Sequence, residues 1–478
     1  MVNIVCEISK FISIVLMVLY AYQCFSVMAS EDESKKRSKL NVQIVYVFMI
    51  HFLSYLIMYL RLGTFKILVF YGIQIFVAVF YMIIFHSIYK ESSRLLTNNT
   101  AFLLLIGYTI LTRLNFNLAV KQFIFATVGL IITAFFPYIM LKWKSLKDMG
   151  VTYGIVGIGF LLTVFIPGLG YEAYGSRNWI KIGSLSLQPM EFVKILFVFF
   201  VASMLVKANS IKDLFVNALI SAGFMLVLVL EKDLGAAIIF YITYVFMVYL
   251  ATSRTVFLVG GVGLGAGAVV LAAILFKDTL FAHVMVRVAA WKDPFAFIDT
   301  GGYQVSQSLF ALGTGGYTGS GLTQGKAHTI PVSESDFIFS AICEEMGVIF
   351  GLALILVVVS IFISIVNISM RCRNPFYKYV AFGFGTIYVV QSLLNLGGVT
   401  KFIPSTGVTL PLVSYGVSSV ISTLIIFAII QGVCIIGNKE AIKNEKEKER
   451  IRKQLAFDTG RGISPKGEGK SKKKQIKK

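Results

Sequence analysis

Charge is what this chain has least of. Only 14% of its 478 residues are Asp, Glu, Lys or Arg, against 57% hydrophobic residues. A soluble chain carries roughly a quarter charged residues, so a water-facing globular surface is excluded. Cysteine is sparse too: Cys6, Cys24, Cys343, Cys372 and Cys434 stand at unrelated spacings, which excludes a disulfide framework and a zinc site. Acidic residues are the scarcer sign, 24 against 44 Lys and Arg, for a net charge of +20.

What fills the chain instead is a series of apolar runs of about 20 residues, long enough to cross roughly 30 Å of hydrocarbon. Backbone groups in lipid must be satisfied within the segment, so each run is a helix. The runs predict an all-α polytopic membrane protein with thirteen spans, near 10–28, 42–60, 66–88, 101–118, 122–141, 150–168, 191–206, 214–230, 234–252, 256–276, 338–366, 377–399 and 410–436. An odd number puts the termini on opposite sides. With the C-terminus in the cytoplasm, the short inner loops hold 15 Lys and Arg and the short outer ones 8, so the N-terminus is expected outside.

The tail from Asn438 to Lys478 carries 15 basic and 6 acidic residues. A basic run just inside a membrane points to anionic lipid headgroups rather than nucleic acid. Within it, 441–455 reads as a short charged helix and the remainder as disordered. The first span is too long for a signal peptide's apolar core, and Lys35, Lys36, Arg37 and Lys39 follow it; it is expected to be retained.

Two outer loops break the pattern. The larger, Lys277 to Ser335, contains eight glycines within 301–325 around SQSLFAL, a candidate amphipathic helix. It ends in IPVSESDFIFSAICEEMG, where Ser333 or Ser335 is expected to cap a helix with Asp336 in its first turn. Asp336 reads either as a capping acid or as a functional carboxylate at the outer boundary. Glu344 and Glu345 are expected about 12 Å further along the same helix, bound to substrate or paired with a basic neighbour. The other loop, 169–190, offers Arg177 and Lys181, with Lys194 just beyond it. Trp179 reads as an interfacial anchor, and Gln188, Glu191 and Lys194 can share one helix face. Arg177 and Lys194 either hold an anionic headgroup or snorkel.

Five ordered blocks resemble the SEDS family, typified by FtsW, RodA and SpoVE: RNWIKIGSLSLQPMEFVK (177–194), EKDLGAA (231–237), GGYQVSQSLFALGTGGYTGSGL (301–322), SDFIFSAICEEMG (335–347) and STGVTLPLVSYGVSS (405–419). The resemblance spans about Ala101 to Ile436. It implies a ten-helix glycosyltransferase that polymerises lipid II, paired with a class B penicillin-binding protein, in division, elongation or sporulation. By the family pattern Asp336 is the essential acid, and Arg177 and Lys194 are basic residues of the substrate cavity. The matched blocks complete the candidate binding set with Gln188, Asp233, Glu344, Glu345, Ser414 and Tyr415. The polyprenyl diphosphate leaving group makes Mg or Mn a possible companion, with no organic cofactor expected. The implied organisation is an extension of three spans (1–98), the ten-helix core (99–437) and the basic tail (438–478). Since every matched block follows Asn98, the extension is expected to be dispensable for chemistry. Two departures stand out: the family's usual Gln-Pro-Asp-Leu-Gly is Glu231-Lys232-Asp233-Leu234-Gly235, and Val417 replaces the second glycine of Ser-Tyr-Gly-Gly-Ser. A flippase for the lipid-linked precursor and a non-catalytic scaffold for a penicillin-binding protein are the rival readings.

Overall fold

The structure is a computed structural model that describes residues 2–173, 175–183, 185–275 and 282–458. Eleven helices are long and apolar enough to cross a membrane, and two shorter apolar segments, Gly150–Phe165 and Thr255–Leu271, bring the candidates to the expected thirteen. The chain is a multi-pass, all-α membrane protein.

The extension is α1 (Val2–Met28), α2 (Glu33–Leu62) and α3 (Phe65–Ile88). The core begins with α4 (Arg94–Leu114), so the fourth span starts earlier than the 101 expected. Ser93 caps it by accepting from Leu96 N, and Asn115 both ends it and caps α5 (Phe116–Thr133), which makes a tight hairpin. Next come α6 (Phe136–Lys142), α7 (Gly150–Leu162), α8 (Pro189–Lys207), α9 (Ile211–Leu230), α10 (Leu234–Thr252) and α11 (Thr255–Leu275). The long loop between α11 and the next span carries α12 (Ala282–Lys292) and α13 (Tyr303–Gly315), the latter being the helix expected at SQSLFAL. It is followed by α14 (Ile338–Met346), α15 (Val348–Arg371), α16 (Pro375–Val399) and α17 (Val417–Asp458). The charged helix expected at 441–455 is no separate element: it continues the last span without a break.

The packing is centred on α8. Phe197 and Phe200 meet Phe224 of α9, and Phe197 also meets Phe240 of α10, with centroids 4.6–5.8 Å apart. All four rings are fully buried. α7, α16 and α17 close the other sides of α8. In lipid such interiors are held by close packing and hydrogen bonds rather than by a hydrophobic gradient between helices.

Two features differ from the expectation. The span foreseen over 338–366 is two helices, broken at Gly347 (φ 93), so Glu344 and Glu345 sit in the short α14 and not within a continuous span. The apolar run hid a left-handed residue that only glycine adopts without strain. The loop 169–190 folds into a three-stranded antiparallel sheet, β1 (Gly170–Ala173), β2 (Ser176–Ile182) and β3 (Leu185–Leu187), in that order. Gly175 and Gly183 turn the chain at positive φ between the strands, and Trp179 stacks on Tyr171 across the sheet.

Candidate functional site

Asp336 is held through its backbone carbonyl, and its carboxylate bonds to the neighbouring Ser335. α14 begins two residues later with Phe337 as its uncapped first boundary, so neither Ser333 nor Ser335 caps it and Asp336 is not in its first turn. The segment is fastened from α16 and from the loop before α17. Asn395 Nδ2 donates to Asp336 O at 2.9 Å, Ser414 Oγ donates to Ser335 O at 2.6 Å, and Tyr415 N donates to Glu334 O at 2.7 Å. Ser414 and Tyr415 therefore brace the acid's segment. The carboxylate borders a shallow cleft lined by Leu394, Asn395, Val399 and the chain from Ser405 to Val408.

Gly407 is the meeting point of that cleft. Its φ of 74 suits glycine, and a Cβ there would stand 3.6 Å from Arg287 Nη1 and 3.7 Å from Asp336 Oδ2. Arg287 thus abuts the same residue as Asp336. It sits on α12, which is docked by Trp291 Nε1 donating to Lys401 O at 3.0 Å and by Arg287 itself donating to Ser405 O at 3.4 Å. Burial raises the proton affinity of Asp336, while Ser335 and Arg287 pull the other way. Arg287 was not foreseen. The signal was present, since a lone arginine among Val286, Val288 and two alanines is a costly charge in an apolar segment.

On the far side of the cleft Gly235 packs against Thr406 and Val408, which brings the start of α10 beside the Asp336 loop. Asp233 caps α10 by accepting from Ala236 N at 3.0 Å, and it also accepts from Asn178 Nδ2 at 2.6 Å and more distantly from Gln188 Nε2 at 3.5 Å. Burial raises its pKa, and the hydrogen bonds from Ala236 and Asn178 oppose that rise, with Arg287 adding least. Glu231, two residues before Asp233, is fully buried, with no partner for either carboxylate oxygen among the described residues. Burial, then Asp233, pushes its pKa up to about 9.

The remaining candidates are placed elsewhere. Lys194 is 1% exposed and lies 2.5 Å from Glu191 Oε2, with Gln391 Oε1 accepting a second bond at 3.0 Å. Ser422 Oγ donates to the same glutamate at 2.8 Å. Gln391 Nε2 in turn donates to Thr409 O at 3.2 Å, so Lys194 underpins the cleft's loop from beneath. Arg177, on β2, spends its Nε on Val164 O at 3.1 Å, and its backbone N–H donates to Glu231 O at 2.9 Å. Glu344 and Glu345 do not line the cleft. Glu345 pairs with Arg113 at 3.0 Å and accepts from Thr323 N, while Glu344 accepts from Lys326 N at 2.8 Å. Of the two readings open for these glutamates, the geometry supports pairing with a basic neighbour for Glu345, while Glu344 binds a backbone N–H; together they clamp the loop before α14.

Among the described residues no group of three His, Cys, Asp or Glu side chains comes together. What the site does offer is a carboxylate of raised proton affinity beside a guanidinium. That pair suits proton abstraction next to a developing anion.

A family model described as cell cycle protein (FtsW/RodA/SpoVE) matches residues 101–436. The peptidoglycan glycosyltransferase RodA of Mycobacterium tuberculosis is 33% identical over 330 residues, covering 65% of this chain and 69% of that protein. A probable peptidoglycan glycosyltransferase FtsW of Bacillus subtilis is 30% identical over 359 residues, covering 73% and 84%. A chain from a structure on the coordination of polymerization and crosslinking by a peptidoglycan synthase complex shares the fold. Its TM-score is 0.61 at 22% identity, over 72% of this chain and 97% of that one.

Proposed function

The chain belongs to the SEDS family typified by FtsW, RodA and SpoVE, and on that premise we propose that it polymerises lipid II into glycan strands. The GlcNAc 4-hydroxyl of one lipid-linked molecule attacks C1 of another's MurNAc. Asp336 takes the hydroxyl proton as the C–O bond forms, and the polyprenyl diphosphate leaves with the bonding electrons. One displacement inverts the anomeric centre and needs no second, nucleophilic carboxylate. Arg287 supplies counter-charge for the leaving diphosphate.

The observation that carries this reading is the Asp336 carboxylate at the cleft, backbone-braced, raised in proton affinity and abutting the same glycine as Arg287. Lys194 acts from below by holding Glu191 and Gln391 under Thr409 rather than by touching substrate. The N-terminus lies outside and the basic tail in the cytoplasm, which puts Asp336 on the side where glycan is built. A class B penicillin-binding protein is the proposed partner.

The test uses the purified full-length protein in lipid with fluorescent lipid II. Wild type is expected to yield glycan ladders. Asp336→Asn keeps the side chain's shape but removes the base, and is expected to slow synthesis on the order of 10²–10⁴-fold. Near-normal ladders from a folded Asp336→Asn protein would sink the mechanism. Translocation of lipid II by wild type without any ladder would make the chain a transporter.

A further inference from the structure

The three-helix extension lies outside the matched family region, yet it is not peripheral to the packing. α2 and α3 cover α4, and α1 lies along α15 and touches α14. Every residue of α4 from Leu95 to Thr112 is buried. Its sequence anticipates this, because RLLTNNTAFLLLIGYTILTRL has polar residues toward both ends of the apolar stretch, where a lipid-facing helix has apolar ones.

Those polar residues are bonded to the extension at two levels. Near the start of α4, Tyr20 OH donates to Asn99 Oδ1 at 2.6 Å, and Asn98 Nδ2 donates to Leu40 O and Gln43 Oε1, both at 3.1 Å. Near its end, His51 Nδ1 meets Thr109 Oγ1 at 3.2 Å and Tyr55 OH meets Thr112 Oγ1 at 2.8 Å. Two levels of polar contact more than two turns apart fix both the axial position and the rotation of a helix. A register slip would leave buried polar groups without partners.

The other face of α4 touches the site twice, at the same height as the outer pair. Gly107 comes so close to the loop before α17 that a Cβ would stand 2.6 Å from Val413 O and 2.9 Å from Leu412 O. The next residue of that loop, Ser414, holds Ser335. Arg113, adjacent to Thr112, pairs with Glu345 at 3.0 Å and donates to Gly325 O at 3.2 Å, which ties the chain around 320–326 to α14. A hydrogen-bonded helix moves as a unit, so displacing α4 by about an ångström moves both contacts together.

We infer that the extension is a positioning part of the polymerase: His51 and Tyr55 set α4, and α4 sets the Asp336 segment through Gly107 and Arg113. This rests on the polymerase reading above and adds residues that nothing in the family region contains. It also reverses the expectation that residues 1–98 are dispensable for chemistry.

The test uses the full-length protein in lipid nanodiscs, with His51→Leu and Tyr55→Phe singly and together. Hydrogen exchange is expected to rise in 315–326 and 405–416 while α9, remote from α4, stays unchanged. With lipid II as substrate, kcat is expected to fall about two- to thirtyfold at nearly constant KM, the range of couplings carried through packed elements. His51→Asn keeps a hydrogen-bonding atom near the Nδ1 position and is expected to recover most of the rate. Should the leucine variant fail to fold, Tyr55→Phe, which loses only a hydroxyl, carries the test alone. Folded variants with wild-type exchange in both segments and wild-type kcat would overturn the inference, and so would exchange that rises equally in α9. A wild type that makes no glycan removes the polymerase reading, and the exchange pattern still decides the coupling.

Discussion

Glu231 is the residue whose chemistry departs furthest from the family pattern, and replacing it with the usual glutamine makes a quantitative test. The carboxyl is fully buried, has no partner among the described residues and is raised to about 9 from the ordinary 4.5. Between those two values the folded protein keeps this proton while the unfolded chain loses it. The native state then binds more protons, so stability falls as pH rises through the window. At pH 7.5 the group sits three units above its unfolded value, which sets a ceiling of about 4 kcal/mol on the cost. Glutamine does not titrate and has almost the same shape. Glu231→Gln is therefore expected to be more stable by on the order of 2 kcal/mol at pH 7.5, with a smaller gain at pH 6 and none below about 4.5. The five cysteines are all free and buried, so a thiol-reactive dye reports thermal unfolding directly. Since the wild-type side chain is already neutral at working pH, glycan synthesis is expected to be unchanged. A stability difference that is flat with pH, or one that favours glutamate as pH rises, would refute the argument.

Arg287→Ala removes the cation that opposes the rise in Asp336's pKa. If the carboxylate is the base, activity climbs with pH as it deprotonates, and this variant's acid limb is expected to lie at higher pH than the wild type's in rate profiles with lipid II. An unshifted limb would separate the two residues. For topology, single cysteines at Lys10 and Lys474, on a background freed of the native thiols, are expected to react with an impermeant reagent only at position 10 in intact, wall-stripped cells; the converse pattern would put Asp336 on the wrong side.

The spans were readable because a bilayer forces length and apolarity on every crossing, and thirteen candidates were both expected and found. What hydropathy does not encode is where an apolar run is interrupted. Ile338–Arg371 is apolar enough to read as one helix, and only the φ of Gly347 divides it. The sheet at 170–187 escaped notice for a related reason, as a short polar excursion with glycine turns reads as loop until Glu231 and Lys232 are seen to accept from Arg177 N and Ser176 Oγ. Asp336, Ser414 and Tyr415 are singled out by their motifs, and the structure brings them together. Lys194 is singled out too, but a sequence does not say which way a charge faces. The spacing that made Glu191 its neighbour on one helix face also made it the partner that neutralises it.

The same logic explains why α4 carries the decisive polar residues. Within lipid a helix gains nothing from asparagine or threonine unless another helix answers them. Asn98, Asn99, Thr109 and Thr112 are answered by Gln43, Tyr20, His51 and Tyr55, all from the extension. Arg113, on the same helix, is answered by Glu345 of the core. A core evolved to stand alone would have no use for the first four pairings, and an extension serving only as an anchor would have no need to reach into α4 at two levels. The pairings make sense together if the site's loops take their position from α4, and α4 takes its own from the helices before it.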